Sequence, residues 1–543
     1  MPMLRTSSEA FPASKDMIGD IPYVLRVEFR DLARDVTKIT GMPIACHKCN
    51  GFLMSADQIV EDRKIGKHFV CPFCGTLNVI AGEVVLAGSD TDFVIKPAPD
   101  KTQTTTTTVT SAGGRSFLAV IDVSGSMAGA NLAAVKRSLT TSVESLAANT
   151  PDTLFGLIEF ESSVLFRNVE TGEAVQLPRE SFASFEAITE AARKLMDKIK
   201  LVKVGGNAGS LKRHINALRE QGGTALGPAV AMACVIAKHR GVGRVVLLTD
   251  GLANEGIGAL EGYQVTPGNK YYEDLGRLFK DNGTAIDVVG IATGAGMELR
   301  TLGLMPEATG GQMYYVTPNE LDKSLSELAG ASMLGRDVQV RLFTPAGVKV
   351  KDASGVSRAV VEELRTKGES RIGVVGENHE LYFEVEPESK LKAKEVPIQV
   401  QVEYTDQDGS RRMRTFTKKL RVTSDEKDLV KTMDPTIGAT FVVQKAGEEA
   451  LGGGRAAGMS RIASFRAAMK EQAKAAPAPV KAKLQKADDA LASEEENMER
   501  QEAAVGSARP GAPSAAADQA VTENLAQMRK ASKALFHDEE DEE

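Results

Sequence analysis

From Arg115 onward, short unbroken apolar runs alternate with longer stretches in which apolar positions recur every three or four residues. The runs at 117–121, 154–160, 245–249 and 286–291 are too short for buried helices and are rich in Val, Ile, Leu and Phe, so they predict strands hidden on both faces. Leu132 to Leu146 and Leu226 to His239 carry the helical spacing, and a last helix falls near Asn319 to Gly330. Strands alternating with helices build a doubly wound parallel sheet covered on both sides, here expected over 115–333.

After Gly335 the period changes to two. Ile398, Val400, Val402 and Tyr404 fall on one face with Gln399, Gln401 and Glu403 on the other; the turn Asp408-Gly409 then leads into a return strand through Phe416, Leu420 and Val422. The helical pattern stops after Gly335, alternating strands take over, and a β-sandwich over 334–424 is expected. Residues 425–502 turn helical and rich in Ala, Lys, Glu and Gln, interrupted by Pro477 and Pro479. The 503–543 tail reads as flexible, then as a short amphipathic helix carrying Val521, Leu525, Met528 and Leu535, then as the acidic block Asp538–Glu543. That stripe serves either to dock on the protein's own body or to hold a partner. At the other end, Tyr23–Phe29 alternates like a strand within a 1–45 β segment. An extended stretch and Thr-rich linker fill 81–114.

The chemistry sits where apolar strands end. Phe117–Ile121 runs into Asp122-Val-Ser124-Gly-Ser126, Gln221-Gly-Gly-Thr224 precedes a helix, and Val245–Thr249 ends in Asp250. Ligands of open parallel sheets collect at the carboxyl ends of strands. Three neutral hydroxyls and two carboxylates suit a hard divalent cation, Mg²⁺ or else Mn²⁺ or Ca²⁺, and leave its charge incompletely balanced. A carboxylate from another molecule would complete the shell. These five positions resemble the metal-ion-dependent adhesion site of von Willebrand factor A (vWA) domains, which implies a Rossmann-like fold and a protein partner presenting Asp or Glu. The same pocket could instead serve only to stiffen its loops.

Cys46-His-Lys-Cys49 and Cys71-Pro-Phe-Cys74 supply the four soft ligands of a closed tetrahedral zinc site, giving a zinc ribbon over 46–80. A closed shell leaves no position for water, so this zinc is structural. Four cysteines suffice, and His47 and His68 read as loop residues. A thioredoxin-like role for either pair is the alternative. Cys234, in an apolar helix, reads as core packing.

Composition narrows the classes. The chain has 543 residues and a net charge of −7, no apolar run of membrane-spanning length, and no secretory signal at its start. Thiols clustered for zinc fit a reducing compartment, so a cytoplasmic protein is expected. The acidic balance argues against nucleic-acid binding. No phosphate loop, nucleophile elbow or helical His-Glu-x-x-His occurs, and no histidine lies near Ser124 or Ser126 in sequence to act as base, so no enzyme is expected.

The order of β segment, four-cysteine ribbon, vWA domain, sandwich and helical region is similar to that of the inner-coat subunits of COPII vesicle coats, and Cys71-Pro-Phe-Cys74-Gly-Thr-Leu-Asn78 looks like their second zinc knuckle. The resemblance covers about 1–475. It implies a non-catalytic scaffold in a coat-like or trafficking assembly. Two departures stand out: such subunits generally lack a complete vWA metal site, and the chain leaves no room for their gelsolin-like domain. The competing readings are a ubiquitin-pathway adaptor or ligase, for which a RING would need about eight ligands, and an RNA-binding vWA protein, for which Lys64, Lys67, His68 and Phe69 are the only local support.

Overall fold

The computed structural model describes residues 4–506 apart from 18–20, 35, 37, 82–83, 97–115, 252, 261–267, 292–298, 331–332, 355–357, 378, 452–454 and 475. The central sheet orders its strands Ala174–Gln176, Val164–Arg167, Leu154–Phe160, Ser116–Asp122, Arg244–Thr249, Ala285–Ile291 and Met313–Val316. The last five in that order are parallel. Ser116–Asp122 is the topological switch point, since Leu154–Phe160 adds on one side of it and Arg244–Thr249 on the other.

This strand is buried from end to end, because alternate residues enter two cores. Leu118 and Val120 pack with the helix Leu226–Arg240, whereas Phe117, Ala119 and Ile121 pack with Ala130–Asn149. Each fully buried aliphatic side chain stabilises by roughly 1.5–3 kcal/mol, so a continuous apolar run suits strands covered on both faces. Leu226–Arg240 is apolar almost all round and is enclosed accordingly; Cys234 lies buried within it, as core. Gly241 ends the helix in the left-handed conformation at φ +63°.

The sandwich draws strands from distant parts of the chain. One sheet orders Leu4–Thr6, Val24–Glu28, Glu380–Pro387 and Val348–Ser354. The facing sheet orders Glu369–Gly376, Met333–Phe343, Glu395–Thr405, Arg411–Thr423, Asp90–Lys96 and Lys38–Thr40, with Ala10–Pro12 parallel to the end of Arg411–Thr423. Stretches that are separate along the sequence, at the N-terminus and after the ribbon, are therefore interleaved with the sandwich. An open strand edge takes whichever backbone reaches it. The Thr-rich linker lies outside the described residues.

One reading is corrected. The stretch after Gly335 is not strand throughout, for Arg358–Lys367 is a helix whose Val360, Val361 and Leu364 fill the sandwich core. The hairpin at 395–423 does place Ile398, Val400, Val402, Tyr404, Phe416 and Leu420 in that core. Its polar face is not wet: Gln399 and Gln401 are buried beneath the ribbon.

Helices Glu426–Lys431, Pro435–Leu451, Arg455–Ala473 and Ala478–Gly506 complete the described chain, the last two separated at Pro477. Their apolar side chains share a cluster with Ile21, Val24 and Tyr382, so the helices cover the outer face of the smaller sandwich sheet. No described helix is long and apolar enough to cross a membrane. The stripe Val521, Leu525, Met528 and Leu535 and the acidic end lie outside the described residues.

Candidate metal centres

The ribbon site is made by two knuckles of the same form. Cys46 N–H donates to the Gly51 carbonyl and Cys71 N–H to that of Thr76, each at 2.9 Å, and the fourth residue after each cysteine, Asn50 or Gly75, returns to the first cysteine's carbonyl. Both returns need a positive φ, 63° at Asn50 and 71° at Gly75, which Asn and Gly accept at the lowest strain. The four Sγ atoms lie within 4.8 Å of one another, with Cys46 to Cys74 at 3.5 Å and Cys49 to Cys71 at 3.6 Å. A tetrahedral zinc with bonds of about 2.3 Å needs sulfurs about 3.8 Å apart, so the cage fits the ion.

Asn78 braces the cage. Its Oδ1 accepts from the His47 backbone N–H and lies 2.8 Å from His47 Nδ1, while its Nδ2 donates to Cys46 Sγ at 3.5 Å. Burial works to raise the Cys74 thiol, but contacts to Thr76 and the neighbouring cysteines outweigh it and hold it down at about 6. His47 is thus occupied by Asn78, and His68 Nδ1 sits 2.9 Å from the Gly66 carbonyl.

In the trunk, the strand ends bring Asp122, Ser124, Ser126 and Asp250 into one hydrogen-bonded chain. Ser124 N–H donates to Asp122 Oδ1 at 2.9 Å, the Ser124 and Ser126 hydroxyls are 3.0 Å apart, and Ser126 Oγ donates to Asp250 Oδ1 at 2.7 Å. Thr224 arrives on the loop before Leu226–Arg240. That loop is clamped to the first by Gln221 N–H on the Val123 carbonyl at 2.8 Å and by Gly125 N–H on the Gly222 carbonyl at 3.2 Å. Asp122, Ser124, Thr224 and Asp250 are buried and Ser126 is exposed, so the last marks the mouth.

The electrostatics favour a cation. Burial pushes the Asp122 carboxyl up to about 6 against hydrogen bonds from Ser124 and Thr249, and the nearby Asp250 pushes the same way. Burial also raises Asp250, opposed by Ser126 and Asn131. Two buried carboxylates held by Ser, Thr and Asn donors match the hard-oxygen donor set that Mg²⁺ takes.

Several supporting residues escape a motif reading. Thr249 Oγ1 donates to Asp122 Oδ2 at 2.5 Å and Asn131 Nδ2 to Asp250 Oδ2 at 2.9 Å, so both carboxylates are oriented from outside the five positions. Asn254 Oδ1 accepts from Thr224 N–H at 2.8 Å. Ser162 Oγ accepts from Gly223 N–H at 2.7 Å and donates to Glu255, which pairs with Arg179. Thr249 and Asn254 had a usable signal in lying beside Asp250. Ser162, on a separate strand end, had none.

Comparison with known proteins settles the family. The model of the Sec23/Sec24 trunk domain matches residues 115–329, and that of the Sec23/Sec24 beta-sandwich domain matches 335–423, together more than half of the chain. The chain belongs to the Sec23/Sec24 family. The central sheet is the Sec23/Sec24 trunk, and the long hairpin lies in the beta-sandwich. The human COPII-coat protein Sec24c shares the fold with a TM-score of 0.69 and 16% identity, over 98% of this chain and 75% of that one. Circularly permutated Ras protein 1 of Dictyostelium discoideum is 25% identical over 458 residues, which are 77% of this chain and 53% of that protein. The chain thus spans about half the length of this curated relative. A von Willebrand factor type A structure from Catenulispora acidiphila matches with a TM-score of 0.46 and 18% identity, over 66% of this chain and 80% of that one.

Proposed function

We propose that this member of the Sec23/Sec24 family is a non-catalytic, cytoplasmic interaction scaffold in a coat-like or trafficking assembly, and that it grips a partner's Asp or Glu through Mg²⁺ held by Asp122, Ser124, Ser126, Thr224 and Asp250. The observation that carries this reading is the continuous chain from buried Asp122 through Ser124 and Ser126 to Asp250 at adjacent parallel strand ends. Only two of the five ligands are charged, so a bound Mg²⁺ retains attraction for an outside carboxylate. Zinc held by Cys46, Cys49, Cys71 and Cys74 keeps the ribbon folded beside the sandwich and takes no part in binding. The fold family supports the scaffold role, since the likeness to the human COPII-coat protein runs along nearly the whole chain.

The test has two stages. Calorimetry with Mg²⁺ gives one site in the wild type and none in Asp122→Ala/Asp250→Ala. Affinity purification in Mg²⁺ against chelator then yields a partner that needs both the ion and Asp122. A partner retained equally by the double variant rejects the metal bridge. The name of the Dictyostelium relative supports a second reading of partner class, a Ras-type GTPase. Binding of a purified GTPase in one nucleotide state and not the other would select it.

A further inference from the structure

Among the described residues, every large hydrophobic side chain that is strongly exposed lies between Met42 and Ile95. Five of them, Val60, Ile65, Val70, Leu77 and Val79, belong to the ribbon sheet and its hairpin turn. The register makes them one patch. Val60 and Val79 both pair with His68, and Val70 pairs with Leu77, so these side chains share the sheet's outer face. Ile65 caps the patch at the tip of the hairpin between Val60–Asp62 and Gly66–Val70. The inner face is already used: Phe69 and Phe73 pack around the cysteines, and the Phe73 ring lies 5.6 Å from that of Phe343 in the sandwich.

The outer face is therefore a bare apolar surface, with Val79 64% and Val70 56% exposed, on a unit whose other side is fully engaged. Exposed Arg63 and Lys64 lie in its hairpin turn beside Asp62, while Lys67 pairs with Glu61 on the opposite face. The chain beyond Gly506 carries the complementary chemistry. Val521, Leu525, Met528 and Leu535 recur at helical spacing, and Asp538–Glu543 adds an unbroken acidic run. Residues 507–520 can extend to roughly 45 Å. A compact chain of this size has a radius of gyration of about 24 Å, so the extended segment spans nearly twice that length.

We propose that residues 519–543 dock on the outer face of the zinc ribbon, the apolar stripe covering Val60, Val70, Leu77 and Val79 and the acidic run lying beside Arg63 and Lys64. This contact is independent of the trunk metal site. It makes the ribbon face available to other proteins only when the tail is released.

A photoreactive benzophenone residue placed at the exposed position 79 of the full chain tests it. Intramolecular cross-links to peptides within 519–537 are expected. Leu525→Asp/Met528→Asp, in a segment that no described core contains, should cut their yield at least tenfold, and replacing the acids of 538–543 by amides should cut it several-fold. Cross-links to a second copy, cross-links to another protein, or a yield unchanged by the double substitution would each overturn the proposal. Zinc content, measured alongside, shows that the ribbon remains folded.

Discussion

The two candidate metal centres are built in opposite ways. The ribbon gathers four soft ligands from residues 46–74 and has only a small buried cluster of its own. The trunk gathers hard ligands from loops spread between 122 and 250, and each loop is held by strands and helices with two large cores. A zinc ion in the ribbon would therefore be part of the folding free energy, whereas Mg²⁺ in the trunk would be a ligand of a scaffold that stands first.

The largest way to break this contrast is Cys71→Ser. Loss of a structural zinc should cost on the order of 10 kcal/mol of ribbon folding, seen as release of the bound zinc and loss of amide protection in the ribbon, with Mg²⁺ titration of the trunk unaltered. A ribbon still protected without zinc would erase the distinction. Next is Gly222→Ala. Gly222 has φ +67°, and a Cβ there would run into the Glu161 carboxylate, so about 2 kcal/mol of trunk stability should be lost, together with Mg²⁺ affinity. Denaturant midpoints and calorimetry read the two separately.

Gln399→Ala probes the seam between ribbon and sandwich. Gln399 Oε1 accepts from Phe52 N–H at 2.8 Å and its Nε2 donates to the Phe52 carbonyl at 3.3 Å, both buried. Removing them should cost about 1–2 kcal/mol and loosen ribbon amides while the trunk stays protected. The smallest effect on folding belongs to Ser126→Ala at the exposed mouth, within about 0.5 kcal/mol of wild type. Its Mg²⁺ affinity should nevertheless fall by roughly tenfold, as expected of a residue that serves the ion more than the fold.

The contrast also explains what could be read in advance. The ribbon ligands were visible because Cys-x-x-Cys places both ligands on one turn, so spacing along the chain is spacing in space. The trunk strands were visible because runs such as Phe117–Ile121 must be buried on both faces. The hairpin's polar face misled. Gln399 and Gln401 look solvent-facing by alternation, yet they are buried because the ribbon lands on them. The helix Arg358–Lys367 was hidden in the same way, since ten residues between strands carry too little periodicity to stand out.

The amino-acid order alone determined the four-cysteine cluster, the parallel sheet and the long hairpin, because each depends on interactions within a turn or on a period along one element. Tertiary structure alone decided that Asn131 reaches Asp250, that Ser162 and Glu255 brace the Thr224 loop, and that strands from both sides of the ribbon complete the sandwich. Those are contacts between residues far apart in sequence. Their partners are chosen by which strand ends and edges the packed cores bring together, a choice that no local pattern records.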